Sequence, residues 1–309
     1  MALQFTFILN ITFSAVLSGA RLSVSGNRFL FKGEHVFLSG GNLPWINYGY
    51  DYGNNQWAGV KGRVEDQLRM LRDAGGNSLR LWIHIQGESS PLFDQGGYVI
   101  GTDSQGTFLS DFKDMLNLAR SYDILVIPTL WNAAVDQDTH NRLDGLIVDP
   151  AKLTSYIRVV LIPLVRELNS EPCYDTFMLI LSGAGWAGGK YSYRDMLRSG
   201  VFAAFSLLEL LGKLDFHDFH SYSFEGSFDS MAAFVHNCSD YGSTRPVVVG
   251  EFWRQQGGHR STNQLFAYVY RHGYSGAWSW DLVHNGPDQR AGIAYISNYT
   301  GNGNIHINF

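Results

Sequence analysis

Short apolar runs alternate with longer stretches of helical periodicity through the first half of the chain. The runs lie at 35–42, 77–83 and 124–130, and the helical stretches lie at 64–74, 108–122 and 151–168. Runs this short are typical of strands buried on both faces, whereas apolar residues at i, i+3 and i+4 predict amphipathic helices. The alternation predicts a parallel sheet with helical crossovers, and therefore an α/β fold.

The pattern changes at both ends of the chain. Residues 21–31, RLSVSGNRFLF, alternate apolar and polar positions around Ser25-Gly26-Asn27, which predicts a short N-terminal β-hairpin. The second half is less regular, with a helix at 263–272 and apolar segments at 176–181, 196–214, 215–222, 247–249 and 275–280. We count six or seven candidate strands and find neither a repeat nor a linker, so residues 21–309 are predicted to form one domain.

An aromatic loop is predicted between the first strand and the first helix. Residues 43–57 contain few charges and five large rings, namely Trp45, Tyr48, Tyr50, Tyr52 and Trp57. A surface loop packed by its own aromatic side chains and one wall of a binding site are both compatible with this pattern.

A carboxylate ends the most apolar strand candidate. Residues 245–253 read RPVVVGEFW, so three valines precede Gly250 and Glu251. In a parallel α/β barrel the catalytic side chains lie at the carboxyl ends of the strands. Glu251 is therefore a candidate nucleophile, base or metal ligand, although an ordinary glutamate leaving the strand for solvent fits this stretch equally well.

Composition excludes some partners. The 23 basic and 28 acidic residues give a net charge of −5 without blocks of one sign, which argues against nucleic acid and anionic membranes as partners.

Residues 1–20 are apolar and end in small residues, which predicts a secretory signal, with a membrane anchor as the alternative. The triplets Asn237-Cys238-Ser239 and Asn298-Tyr299-Thr300 are glycosylation acceptors compatible with secretion. Cys173 and Cys238 could pair in that compartment, but the sequence does not show whether they meet.

Other chemistries find no support in the sequence. The histidines show no His-x-x-x-His spacing, the two cysteines form no Cys-x-x-Cys pair, and no nucleophile elbow, dinucleotide fingerprint or phosphate loop is present. We therefore expect neither a metal nor a cofactor.

Six separated segments, in order, resemble one family. They are RLSVSG, HVFLSGGNLPWINYGYDYGNNQW, RLW, HSYSF, VVVGEF and GYSGAWSW. They are similar to secreted animal, mollusc-like endo-β-1,4-mannanases of glycoside hydrolase family 5. The resemblance implies a (β/α)8 barrel, a secreted and monomeric enzyme, and retaining hydrolysis of β-1,4-mannosidic bonds in mannan-type polysaccharides.

The resemblance also implies roles for individual residues. Glu251, at the end of the seventh barrel strand, matches the nucleophile of the family. Arg80 would lie beside it on the second strand, with His220 and Tyr222 at the end of the sixth. Trp280, or less plausibly Trp278, would form the floor under the sugar, and Trp131 and Trp45 are further candidate substrate contacts. Each of these side chains, taken alone, also fits a purely structural role.

One part of the family pattern is missing from the sequence. A retaining glycosidase needs a second carboxylate that protonates the leaving oxygen, and the family supplies it from an Asn-Glu pair after the fourth strand. Here residues 169–172 read Asn-Ser-Glu-Pro with no apolar strand before them. Glu171 is the best stand-in for the acid, an ordinary loop glutamate is its alternative, and Asp175 and Glu88 are weaker candidates.

The missing segment affects both the predicted fold and the predicted function. We expect a barrel that is incomplete or distorted around strands four and five, since residues 196–214 are also too few for the elements required there. A catalytically impaired polysaccharide-binding homologue is therefore the alternative to an enzyme, and a chain that does not fold stably is a third possibility.

Overall fold

A small antiparallel sheet begins the part of the chain that the structure describes. The computed structural model describes residues 22–132, 142–169, 216–301 and 305–309. Strands β1 (Leu22–Ser25) and β2 (Arg28–Phe31) form the predicted hairpin, and β3 (Glu34–Val36) pairs with β2. The run at 35–42, predicted as one strand, is therefore divided: its first residues join the hairpin and the rest enter the main sheet.

The main sheet consists of six parallel strands in the order β8-β5-β4-β11-β10-β9. Their bounds are β4 Leu38–Leu43, β5 Ser78–Trp82, β8 Leu125–Thr129, β9 His217–His220, β10 Val247–Glu251 and β11 Gly276–Ser279. The last strand, β11, pairs with the first, β4, as the first and last strands of a (β/α)8 barrel do.

The sheet forms only part of such a barrel. In barrel order, β4, β5 and β8 are strands one to three, and β9, β10 and β11 are strands six to eight. Within the described residues β8 and β9 form the two edges, which agrees with the prediction of an incomplete or distorted barrel around strands four and five. A separate short hairpin, β6 (Leu92–Phe93) and β7 (Val99–Gly101), follows β5.

Helices cover the outer face of the sheet. They are α1 Trp57–Asp73, α2 Phe108–Ser121, α3 Arg142–Val148, α4 Pro150–Tyr156, α5 Ile162–Asn169, α6 Thr262–Arg271 and α7 Leu282–Thr300, and a π-helical turn, Ile157–Leu161, joins α4 to α5. The predicted helix at 64–74 starts seven residues earlier, at Trp57. Helices α3 and α7 were not predicted, and α7 contains Pro287 and a kink at Asn285.

The N-terminal sheet closes one end of the barrel. Phe29 and Phe31 pack with Leu38, Leu125 and other buried residues that include Trp278. Leu38 and Leu125 are the first residues of β4 and β8, so the hairpin covers the amino-terminal ends of the strands. The carboxyl ends, at the opposite side, carry the candidate site.

The aromatic loop at 43–57 combines both expected roles. Tyr52 and Trp57 are buried and stack on each other with ring centroids 5.5 Å apart, so they belong to the core. Trp45 and Tyr48 are half-buried and pack edge to face at 4.7 Å. The buried Asp51 carboxylate accepts hydrogen bonds of 2.7 Å from the backbone amides of Ile46 and Asn47 and fixes the turn of the loop.

Several sequence predictions fall on residues outside the described ones. These include the predicted signal at 1–20, Glu171, Cys173, Asp175, and the segments 176–181 and 196–214. Cys238 is a buried free thiol. Among the described residues, no helix is long and apolar enough to cross a membrane.

Candidate active site

Glu251 is the last residue of β10 and points into the open end of the barrel. It pairs with His220 of β9 across a register shift between Val249 and Glu251. Its side chain is 12% exposed, so the carboxylate is reachable but largely withdrawn from water. A carboxylate in that environment needs donors and positive charge close by.

Three side chains supply hydrogen-bond donors and positive charge to the Glu251 carboxylate. Arg80 Nη1 donates to Glu251 Oε1 over 2.7 Å, and the Tyr222 hydroxyl donates to Oε2 over 2.9 Å. His220 Nδ1 lies 3.3 Å from the same Oε2. The structure thus brings together four of the residues predicted from the sequence.

Arg80 is held from several sides. Its side chain is 2% exposed, and Nη1 also donates to Asn42 Oδ1 over 2.9 Å. Asn42 in turn donates through Nδ2 to the backbone carbonyls of Gly250, Trp278 and Ser279. The guanidinium therefore has a fixed orientation toward Glu251, because its anchor is tied to β10 and β11.

Tyr222 is placed to act as a hydrogen-bond donor. Burial and then the charge of Glu251 raise the pKa of the Tyr222 hydroxyl well above its ordinary value. The raised pKa favours the protonated hydroxyl, which donates to Glu251 and stabilises negative charge on it.

Trp280 lies at the edge of this cluster. Its ring meets that of Trp82 edge to face at 5.5 Å, and the Trp82 ring lies 4.2 Å below the Arg80 guanidinium. Trp280 is half-buried, so its ring can contact a ligand. Trp278 is fully buried and donates from Nε1 to Ser78 Oγ, which excludes it as the floor of an open site.

The other two predicted tryptophans have different neighbours. Trp131 packs against His84 and Tyr156 at centroid distances of 4.9 and 5.2 Å, and Trp45 packs against Tyr48. None of these contacts includes a residue of the Glu251 cluster, so the structure does not join either ring directly to it.

Of the candidate acids, the structure describes only Glu88. Glu88, a weak candidate, accepts a hydrogen bond from the Gln86 amide through Oε2 and lies beside Gly49 of the aromatic loop. Glu171 and Asp175 lie outside the described residues.

In the described part of the chain, no group of three or more His, Cys, Asp or Glu could hold a metal ion.

Sequence reasoning missed three members of the cluster. Asn42 is the penultimate residue of the first barrel strand and orients Arg80. Trp82 follows Arg80 by two positions, and Asp218 precedes His220 by two. Side chains two positions apart on a strand share a face. That periodicity, applied to Arg80 and His220, was the signal that would have found Trp82 and Asp218.

Similar proteins support this description. The mannan endo-1,4-β-mannosidase of the mussel Mytilus edulis is 35% identical, and the match covers 97% of this chain and 98% of that protein. The structure of the β-1,4-mannanase from the common sea hare Aplysia kurodai superposes with a TM-score of 0.82 and 44% identity, covering 94% of this chain and all of that one. The chain belongs to the animal endo-1,4-β-mannanases of glycoside hydrolase family 5.

Membership in this mannanase family confirms the resemblance proposed from the sequence. The crystal structure of the mussel β-mannanase superposes with a TM-score of 0.84 and 31% identity over 94% of this chain, which agrees with the predicted barrel. No protein-family model matches the chain. The alignment to the mussel mannanase is 364 positions long, more than the 309 residues of this chain, so part of the mussel sequence is matched by gaps.

Proposed function

We propose that the chain hydrolyses β-1,4-mannosidic bonds within mannan-type polysaccharides as a retaining endo-glycosidase, with Glu251 as nucleophile. The observation that carries the proposal is the pairing of Glu251 with Arg80, Tyr222 and His220 at the carboxyl end of the seventh barrel strand. The mannanases of mussel and sea hare supply the substrate class by similarity.

In the proposed reaction, Glu251 attacks the anomeric carbon of the sugar. The new carboxylate–carbon bond replaces the bond to the leaving oxygen, and a second acid gives that oxygen a proton. Water then attacks the glycosyl-enzyme, loses a proton to the same second group and releases Glu251, so the configuration is retained. Arg80 and Tyr222 hold the carboxylate in place and stabilise its charge before attack and after release.

The proposed substrate contacts surround this carboxylate. Trp280 forms the floor under the sugar at the point of cleavage, with His220 at its rim, because a flat apolar ring stacks on a sugar face while polar groups bond its hydroxyls. Trp131 and Trp45 belong to the proposal as contacts farther along the polysaccharide.

The proposed reaction also needs a proton donor near Glu251. Retaining enzymes place the second carboxyl group about 5 to 5.5 Å from the nucleophile. Glu171 is the proposed donor. The gaps in the alignment with the mussel mannanase favour the second candidate function, a homologue that binds mannan but has lost its acid.

Two substrates separate these candidates. Dinitrophenolate leaves without being protonated, so the first step with dinitrophenyl β-mannobioside, release of dinitrophenolate with formation of the glycosyl-enzyme, requires the nucleophile alone, whereas hydrolysis of galactomannan requires both groups. An enzyme with its acid turns over both substrates, and Glu171→Gln should abolish release of reducing sugar while leaving the rate of the first-turnover burst of dinitrophenolate unchanged. An impaired homologue releases dinitrophenolate as a first-turnover burst and no reducing sugar.

The control for both substrates is Glu251→Gln, purified in the same way. It should lose all activity, because the amide cannot form the glycosyl-enzyme. Activity that survives in this variant, or a wild-type protein inert toward both substrates, would contradict the proposal.

We further propose that the protein is secreted as a monomer after removal of residues 1–20 and needs neither metal nor cofactor. The exposed side chains of Asn237 and Asn298 are accessible to glycans in that route. Expression of the full chain in animal cells tests this: the protein should be found in the medium, lose mass on enzymatic deglycosylation and give a monomer mass in light scattering. Retention in the membrane fraction would contradict secretion.

A further inference from the structure

A second carboxylate lies beneath the Glu251 cluster. Asp218 is in the middle of β9, pairs in register with Val248 of β10, and has a side chain that is 10% exposed. It occupies space that Gly250 leaves open, since a Cβ at Gly250 would lie 1.8 Å from Asp218 Oδ1. The glycine before Glu251 therefore lets a carboxylate from the neighbouring strand approach the nucleophile's backbone.

Asp218 and Glu251 share the same two partners. Asp218 Oδ2 lies 3.5 Å from Arg80 Nε, while Arg80 Nη1 donates to Glu251. The same Oδ2 lies 3.6 Å from His220 Nε2, while His220 Nδ1 faces Glu251 Oε2 at 3.3 Å. Arg80 and His220 thus each bridge the two carboxylates, one through its guanidinium and the other through its ring.

Asp218 carries a charge in spite of its burial. Burial alone would raise the pKa of Asp218, but the charges of Arg80 and His220 outweigh it, and the pKa lies below its ordinary value. A buried charge of this kind is tolerated only while its partners stay in place. Asp218 and its two partners are accordingly fixed relative to one another.

We propose that Asp218 is a positioning residue for the nucleophile, which aims Arg80 and His220 at Glu251 and limits how fully Arg80 neutralises it. The inference rests on the proposed role of Glu251. Asp218 does not touch the sugar; it acts through the two side chains that do contact the reacting carboxylate.

Removal of the Asp218 charge should slow attack by Glu251 for two reasons. In Asp218→Asn, the guanidinium and the ring lose an anchor, and small errors in the position of reacting groups lower rates steeply. Arg80 also loses one of its carboxylate partners, so its charge acts more strongly on Glu251, and a more fully neutralised carboxylate is a weaker nucleophile.

The test measures covalent labelling of Glu251 by 2-deoxy-2-fluoro-β-mannosyl fluoride, whose fluoride leaves without a general acid. The 2-fluoro group slows hydrolysis, so the glycosyl-enzyme accumulates and can be followed by intact mass. We expect Asp218→Asn to lower the limiting rate, kinact, by about tenfold, while the half-saturating concentration, KI, stays within about twofold. The matched control is Asp66→Asn on the surface of α1, which should leave both constants unchanged.

The limiting rate separates positioning from folding, because it is a property of the molecules that react. A merely structural Asp218 would lower the labelled fraction and the unfolding temperature of Asp218→Asn but not kinact. A double-mutant cycle adds a second readout: if Asp218 acts through His220, Asp218→Asn should slow labelling less in a His220→Ala background than in the wild type.

The outcomes are distinguishable. Labelling of Asp218→Asn at the wild-type kinact, with Glu251 labelled in both proteins, would overturn the positioning role and leave the proposed function intact. Additive effects of Asp218→Asn and His220→Ala would overturn the coupling through His220. A wild-type protein that is not labelled at all would overturn the proposed function and, with it, this inference.

Discussion

Glu251 combines limited exposure with unusually dense polar contact. The side chain is 12% exposed, yet both carboxylate oxygens have partners, Arg80 on Oε1 and Tyr222 with His220 on Oε2. Burial of an unpaired carboxylate costs several kcal/mol. The hydrogen bonds and the positive charge of the cluster offset that cost.

Tyr222→Phe tests the strongest neutral contact in the cluster. The change keeps the ring and removes the hydroxyl that donates to Glu251 Oε2. A hydrogen bond to a charged group contributes about 1.5–3 kcal/mol, so kcat/KM for dinitrophenyl β-mannobioside should fall roughly tenfold to a hundredfold. The free energy of unfolding should fall by a similar amount, and a rate within about twofold of the wild type would show that Tyr222 does not support the nucleophile.

At the scale of single elements, the aromatic loop and the strand ends are fixed by a few buried polar groups. Asp51 holds the turn at Ile46 and Asn47, and Asn42 joins β4 to the carbonyls of β10 and β11. These contacts place the loop beside the open end of the barrel. We expect the free energy of unfolding to depend on pH through Asp51, and to depend on side-chain size where strands approach closely.

The loop should become more stable as the pH falls. Burial raises the pKa of Asp51 to about 6, against the opposing effect of the Ile46 and Asn47 amides. Between about pH 6 and pH 4 the folded protein binds a proton that the unfolded chain does not, so the free energy of unfolding increases as the pH decreases through this window.

The measurement is the difference in unfolding free energy between the wild type and Asp51→Asn at several pH values. Relative to the variant, the wild type should gain on the order of 2 kcal/mol between pH 7 and pH 4. The variant cannot titrate at this position and so cancels the contributions of all other groups. A difference that is independent of pH would contradict the account of Asp51.

Gly40→Ala tests the close approach of β4 and β5. A Cβ at Gly40 would lie 1.7 Å from the backbone oxygen of Ser78, so these two neighbouring strands would have to separate. We expect the free energy of unfolding to fall by about 3 kcal/mol or more. The control is Gly62→Ala in α1, where nothing lies within 4 Å and the change should stabilise the helix by up to about 1 kcal/mol. Equal stability of the two variants in denaturant titrations would refute the packing argument.

At the scale of the whole molecule, the amino-terminal and carboxyl-terminal ends of the sheet strands have different roles. The N-terminal hairpin and the residues around Trp278 close the amino-terminal end, while Glu251, Arg80 and Tyr222 meet at the carboxyl end. This division is general in (β/α)8 barrels, whose amino-terminal face contributes stability and whose carboxyl-terminal face carries the active site.

The local sequence was sufficient to predict most strands, but it did not predict the division between β3 and β4 or the helix α7. The runs at 77–83, 124–130 and 275–280 became β5, β8 and β11 because buried strands are encoded by short apolar segments. The split between β3 and β4 depends on long-range pairing partners, which no local pattern contains. Helix α7 was missed because Pro287 and Asn285 interrupt its periodicity, and tertiary packing overrides them.

The candidate site was predictable to a similar degree. The resemblance supplied Glu251, Arg80, His220, Tyr222 and Trp280, and the structure places the first four in mutual contact. Asn42 and Asp218 were not predicted as members of the site. A polar residue on a strand indicates a site only when the face on which it lies and its neighbours are known.

Peptide mapping after labelling with 2-deoxy-2-fluoro-β-mannosyl fluoride tests the central claim most directly. The account predicts a mass increase of one glycosyl group on the peptide that contains Glu251, and protection from labelling by excess mannooligosaccharide. A label on another carboxylate, or an unlabelled protein that is folded, would contradict the assignment of Glu251 as the nucleophile of a mannan-cleaving site.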